Sequence, residues 1–109
     1  MLEDYCYTPD YVLLSPKKTI AYYFGKVKDL ELDPGYSHFL SREAKQSYAE
    51  ILQEAYDILF DRVMTNDFSP FLKQEVEQWY GFNRDFLGFC DTKELNRELE
   101  KMLTRFELL

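Results

Sequence analysis

SREAKQSYAEILQEAYDILFDRVM, residues 41–64, is the longest unbroken helical pattern in the chain, and its two unlike faces decide how the chain folds. At about 100° per residue, Ala44, Tyr48, Ile51, Leu52, Ala55, Leu59 and Val63 fall on one side, spaced i, i+3/i+4, i+7. That side is the predicted core face. On the opposite side Glu43, Glu50, Glu54, Asp57 and Asp61 lie within about 40° of a common line at the same rotation, with no Lys or Arg among them. The apolar side has to be covered by other elements, whereas nothing in the fold requires the acidic one.

Downstream, Thr65-Asn66-Asp67-Phe68 breaks the pattern and Ser69-Pro70 opens a further helix, made amphipathic by Leu72, Val76, Trp79 and Tyr80. Gly81 stands in the C′ place, where helices end in left-handed backbone. The aromatic stretch FNRDFLGFC, 82–90, reads as a short helix or a packed loop. Asp91-Thr92-Lys93-Glu94 has a capping-box pattern with Asp in place of Ser or Thr, and Leu95, Leu99, Met102, Leu103 and Phe106 carry a last helix.

Upstream, Ser15-Pro16 is an N-cap followed by proline in its preferred first helical position, and Ile20, Tyr23, Phe24, Val27 and Leu30 keep helical spacing. Gly25 interrupts that run at about 1 kcal/mol relative to Ala and is a candidate for a close helix crossing. Asp33-Pro34-Gly35 ends the helix, and Tyr36 to Leu40 fits a single helical turn leading into the long helix. Residues 1–14 mix Tyr5, Cys6, Tyr7 and Tyr11 with Thr8-Pro9-Asp10. They read as an extended arm whose Val12–Leu14 end packs on the bundle, with a Tyr-rich contact surface as the alternative.

The fold class expected is therefore all-α. It is a small four-helix bundle-like domain over 1–109 with an aromatic-rich N-terminal arm (1–14) and helices at about 16–31, 41–64, 70–80 and 92–107. Ile51, Leu52, Ala55, Leu59, Val76, Leu99, Met102 and Phe106 are its predicted core. At 109 residues, 46% apolar and 17% aromatic, the chain has enough apolar surface for one core without a metal or disulfide.

Composition also bounds function. Twenty acids against 13 bases give a net charge of −7, which disfavours direct binding to a phosphate backbone and favours a basic protein as partner. No run of 18 apolar residues occurs and the N-terminus MLEDYCYTPD begins with acids, so neither a membrane nor secretion is expected and a cytoplasmic location is. Cys6 and Cys90 lack CxxC spacing and read as reduced thiols, with a disulfide as the lesser alternative.

Chemistry-bearing motifs are few. His38 is the single histidine, so neither a His/Cys zinc site nor a paired Glu-x-x-His centre can be assembled, and no cofactor or metal is expected. Phosphate loops, GxSxG and HExxH are missing from the sequence, and a Cys–His nucleophile pair has no supporting context. An enzyme is thus the least favoured class.

Two charge patterns remain. Lys93, Arg97, Lys101 and Arg105 step every four residues among Glu94, Glu98 and Glu100, the pattern of an ordinary ion-paired helical face. The acids of the long helix lack such compensation. Glu50/Glu54, Glu54/Asp57 and Asp57/Asp61 repel at roughly 0.2–0.5 kcal/mol each, and the last two approach the negative end of the helix dipole. A domain tolerates this as a merely solvated face, which is the plain reading, with pairing to the chain's own basic helix as a lesser one. The functional reading takes Glu43, Glu50, Glu54, Asp57 and Asp61 as a docking surface. The chain is then a small acidic inhibitor, monomeric when free, that occupies the basic surface of a partner such as a nucleic-acid-binding enzyme, as immunity proteins, antitoxins and phage anti-defence proteins do. Trp79, Tyr80, Phe82, Phe86 and Phe89 are candidate anchors. The alternative function is a non-catalytic accessory or adaptor subunit of a larger assembly, to which an aromatic excess beyond one small core would point.

Overall fold

The computed structural model of the 109-residue chain describes residues 6–7, 13–32, 39–87 and 91–109. Among these residues four helices form the body: α1 (Pro16–Lys28), α2 (Arg42–Thr65), α3 (Pro70–Asn83) and α4 (Thr92–Arg105), with a single 3-10 turn (Arg84–Phe86) after α3. Two two-residue strands, β1 (Cys6–Tyr7) and β2 (Leu13–Leu14), pair antiparallel with Cys6 opposite Leu14 and Tyr7 opposite Leu13. α1 lies along α2 and α3 along α4, while α2–α3 and α1–α4 contacts close the bundle. The expected four-helix, bundle-like architecture is therefore present, with the short Cys6–Tyr7 and Leu13–Leu14 pairing as its strand content among the described residues. The rest of the N-terminal arm, the expected turn from Tyr36 through His38, and Phe89 and Cys90 lie outside the described residues.

The helices begin where the cap residues place them. Ser15 accepts from the Lys18 amide at 3.3 Å, Ser41 from the Ala44 amide at 3.1 Å, and Ser69 from the Phe71 amide at 3.2 Å. Asp91 accepts from the amides of Lys93 (3.0 Å) and Glu94 (3.3 Å), but the Glu94 carboxylate turns to Arg97 at 2.5 Å, so only the Asp half of the capping box is used. The ends differ more. α1 stops at Lys28, three residues short of expectation, and the chain leaves it through bonds from the Asp29 and Leu30 amides to Gly25 and Val27. Gly81 does not terminate α3, which runs on to Asn83; the Asn83 amide side chain bonds the Trp79 carbonyl at 2.8 Å and helps carry the helix past the glycine. A Cβ built at Gly25 would meet nothing within 4 Å, so no close crossing requires glycine there. α4 ends with Glu107 at φ 64, the Glu107 amide bonded to Thr104 and the Leu108 amide to Leu103 at 2.9 Å. This is a Schellman closure, and it folds Leu108 back into the core.

The core runs through Ile20, Phe24 and Val27 of α1, Leu72 and Val76 of α3, Leu87, and Leu95, Leu99, Met102 and Leu103 of α4. From α2 it takes Leu52, Tyr56, Leu59, Phe60 and Val63. The buried face of α2 is thus turned by about 60° from the predicted one at 100° per residue. Ile51, expected inside, is 52% exposed, and Ala44, Tyr48 and Ala55 are half-buried. The reason is aromatic bulk. Tyr56 and Phe60 stack with centroids 5.7 Å apart, and Trp79 and Tyr80 of α3 close on Phe60 at 6.0 and 4.4 Å. Burying two large rings removes more apolar area from water than burying Ile51 and Ala55. Phe106, also expected inside, is half-buried at the end of α4, where the Arg105 guanidinium lies 5.4 Å from its ring centroid.

A polar network joins the segment after α1 (Leu30 to Leu32) to α2 and α4 through the interior. The buried Asn96 amide accepts from the Tyr56 hydroxyl and donates to Glu31 at 3.0 Å. Thr92 Oγ1, also buried, accepts from the Leu32 amide at 3.1 Å and lies 3.3 Å from the Tyr48 hydroxyl, which donates to the Leu30 carbonyl. Buried polar groups are tolerated when bonded in this way, and their directionality selects one arrangement of the three segments.

Candidate protein-binding face

The turn of α2 about its axis sets what its outer side presents. With Leu52, Tyr56, Leu59, Phe60 and Val63 inward, Glu43, Glu50, Glu54, Asp57 and Asp61 all face outward and are exposed. Four of them, Glu50, Glu54, Asp57 and Asp61, line one shallow groove of about 530 Å³ together with Gln53, Ile58 and Arg62. Glu43 lies two turns before Glu50, outside that groove. Among the described residues no group of three or more His, Cys, Asp or Glu is gathered as for a metal ion; the acids are strung along the helix.

The groove has features that the helical pattern could not supply. Ile58 is 40% exposed within it and Ile51, one heptad earlier on the same flank, is exposed as well, so an apolar seam runs beside the acids. Asp57 is not simply solvated: the Tyr80 hydroxyl of α3 donates to its Oδ1 at 2.6 Å and lies 3.3 Å from the Gln53 carbonyl. Burial of Tyr80, followed by its bond to Asp57 and that carboxylate's charge, pushes the phenol pKa well above the ordinary 10.0; the positive charge of Arg84 pulls it back in part. The Arg84 guanidinium lies 5.9 Å from the Tyr80 ring centroid. On the other flank Arg62 lines the groove and faces the Tyr23 ring at 6.0 Å. The cations missing from the acidic line are therefore at its edges, one from α2 itself and one from the end of α3. Tyr80 and Arg84 were not legible as parts of this face, because they lie 23 or more residues from Asp57, whereas the place of Arg62 beside Asp61 follows from the rotation of α2 itself.

Two of the four basic side chains of α4, Arg97 and Arg105, are engaged in ion pairs. Arg97 bonds Glu94 at 2.5 Å, and Arg105 reaches across to Glu75 of α3 rather than to a neighbour on its own helix. Glu98 accepts from the Trp79 indole at 2.8 Å, which stitches α3 to α4. Of the candidate anchors, Trp79 and Tyr80 are half-buried against the core, whereas Phe82 and Phe86 are 77% and 54% exposed. Among the described residues, no helix is long and apolar enough to cross a membrane. Compared with protein-family models, curated proteins and solved structures, the chain matches none.

Proposed function

We propose that the chain is a small, non-catalytic, acidic inhibitor that binds a partner protein through the outer face of α2, occupying a basic surface such as the nucleic-acid-binding site of an enzyme. The observation that carries this reading is the groove in which Glu50, Glu54, Asp57 and Asp61 stand exposed beside Ile58. A row of carboxylates accelerates encounter with a cationic surface, and a half-exposed isoleucine seam offers the apolar area that affinity requires once charge has steered the approach. The analogy, one of type only, is with small acidic immunity proteins, antitoxins and phage anti-defence proteins.

The test is capture of partners by the immobilised full chain, wild type against Glu50→Lys/Glu54→Lys/Asp61→Lys. Asp57 is retained because it holds Tyr80. The wild type is expected to bind a basic protein in a salt-weakened manner, and the variant to lose it mainly through slower association. A partner bound by both at the same rate and with the same salt dependence removes α2 from the interface. That outcome would favour the alternative, an accessory or adaptor subunit, for which the support is the exposed Phe71, Phe82 and Phe86.

A further inference from the structure

α3 presents a second outer face, unlike that of α2. At about 100° per residue, Phe71, Gln74, Gln78, Gly81 and Phe82 fall within about 100° of arc, on the side away from Leu72, Val76 and Trp79. Phe71 and Phe82 are 76% and 77% exposed, among the most exposed large apolar side chains of the described residues, and Phe86 follows one turn later at 54%. In a chain of which 30% is charged and whose net charge is −7, this face is almost neutral. Between Phe71 and Phe82 the charged residues nearest its edges are Glu75, which bonds Arg105, and Glu77, exposed about 40° beyond Gly81.

We infer that, contrary to the free monomer expected from the sequence, this face of α3 is a self-association surface, on which a second copy of the chain docks antiparallel about the Glu75–Gln78 turn. Three features select a second copy as the occupant. The first is symmetry. Phe71 and Phe82 sit at equal distances, about 8 Å along the axis, on either side of the segment midpoint, so a two-fold contact sets Phe71 of each copy against Phe82 of the other. The glutamines then meet across the axis, where their amides can both donate and accept. The second is charge. Two copies that each carry −7 repel least through a surface whose centre, Phe71, Gln74, Gln78, Gly81 and Phe82, is uncharged, with the exposed Glu77 left at its rim.

The third feature is area. With about 200 Å² for a fully exposed phenylalanine, the three rings offer roughly 400 Å² per protomer. Gln74, Gln78 and Gly81 bring the total over two copies into the range of about 1,200–2,000 Å² that stable interfaces bury. Gly81 has nothing within 4 Å of its missing Cβ, which leaves room for a second backbone. Tyr80, the side chain that holds Asp57, lies about 160° round α3 from Gln78, so the contact leaves the acidic groove of α2 open and the dimer carries two of them.

Light scattering over a wide concentration range tests this on the full chain. The wild type should rise from 13.1 kDa toward twice that mass. Phe71→Lys and Phe82→Glu should each weaken dimerisation by about 30-fold or more, as loss of an aromatic anchor does, with unchanged helical circular dichroism because both rings are exposed. The double variant Phe71→Lys/Phe82→Glu sets Lys against Glu at both ends of an antiparallel contact and should restore dimers that high salt dissolves. A wild type that stays monomeric at all concentrations overturns the inference. So does a dimer indifferent to both single changes, or a double variant that fails to recover.

Discussion

Glu54→Lys and Asp57→Lys look equivalent on a helical wheel, and the structure predicts that they are not. Each reversal relieves two like-charge pairs: Glu50 and Asp57 for position 54, Glu54 and Asp61 for position 57. That relief is worth about 0.4–1 kcal/mol in either case. Asp57→Lys also removes the acceptor of the Tyr80 hydroxyl, a charge-assisted bond of 2.6 Å on a partly solvated surface that contributes about 1 kcal/mol. Glu54→Lys should therefore stabilise the domain by about 0.4–1 kcal/mol, or roughly 2–5 °C in Tm, whereas Asp57→Lys should leave it unchanged or slightly weaker. Urea unfolding followed by circular dichroism, at about 50 and 500 mM salt, measures both, and the gain from Glu54→Lys should shrink at the higher salt. In a Tyr80→Phe background the bond is already lost, and Asp57→Lys should there become stabilising. Equal gains from the two reversals in the wild-type background would refute the assignment of Asp57 to Tyr80.

Three further outcomes are expected. Asn96→Ala removes the buried acceptor of the Tyr56 hydroxyl and the donor to Glu31, and should cost about 2–4 kcal/mol; paired with Tyr56→Phe it should be non-additive by about 1 kcal/mol in a double-mutant cycle, and strict additivity would deny the bond. Glu107→Gly relieves a left-handed residue in the closure of α4 and should raise stability by about 0.5–1 kcal/mol, seen as a higher urea midpoint at unchanged slope. Because Tyr80 keeps its proton in the folded state to higher pH than in the unfolded one, its contribution is full below pH 10.0 and is lost as pH rises toward the folded pKa. Stability should thus fall above about pH 10 less steeply in Tyr80→Phe than in the wild type.

The sequence by itself determined where the helices start, because a cap is a local event: Ser15, Ser41, Ser69 and Asp91 each need only a backbone amide two or three residues on. It also determined that Leu52, Leu59, Val76 and Leu99 are inside and that five acids share the outer side of α2, since both follow from a fixed rotation per residue. Helix ends were less legible. Gly81 lowers helix propensity without forbidding a helix, and packing of Trp79 and Leu87 on either side carried α3 through it. Which edge of the apolar stripe turned inward, with Tyr56 and Phe60 buried and Ile51 left out, was decided only in three dimensions, where the rings meet Trp79 and Tyr80 from a helix whose position no local pattern encodes. The same holds for the binding face. Tertiary structure alone brought Tyr80 to Asp57 and Arg84 to its edge, because a contact between residues more than twenty positions apart exists only once the chain has paid its conformational entropy and packed.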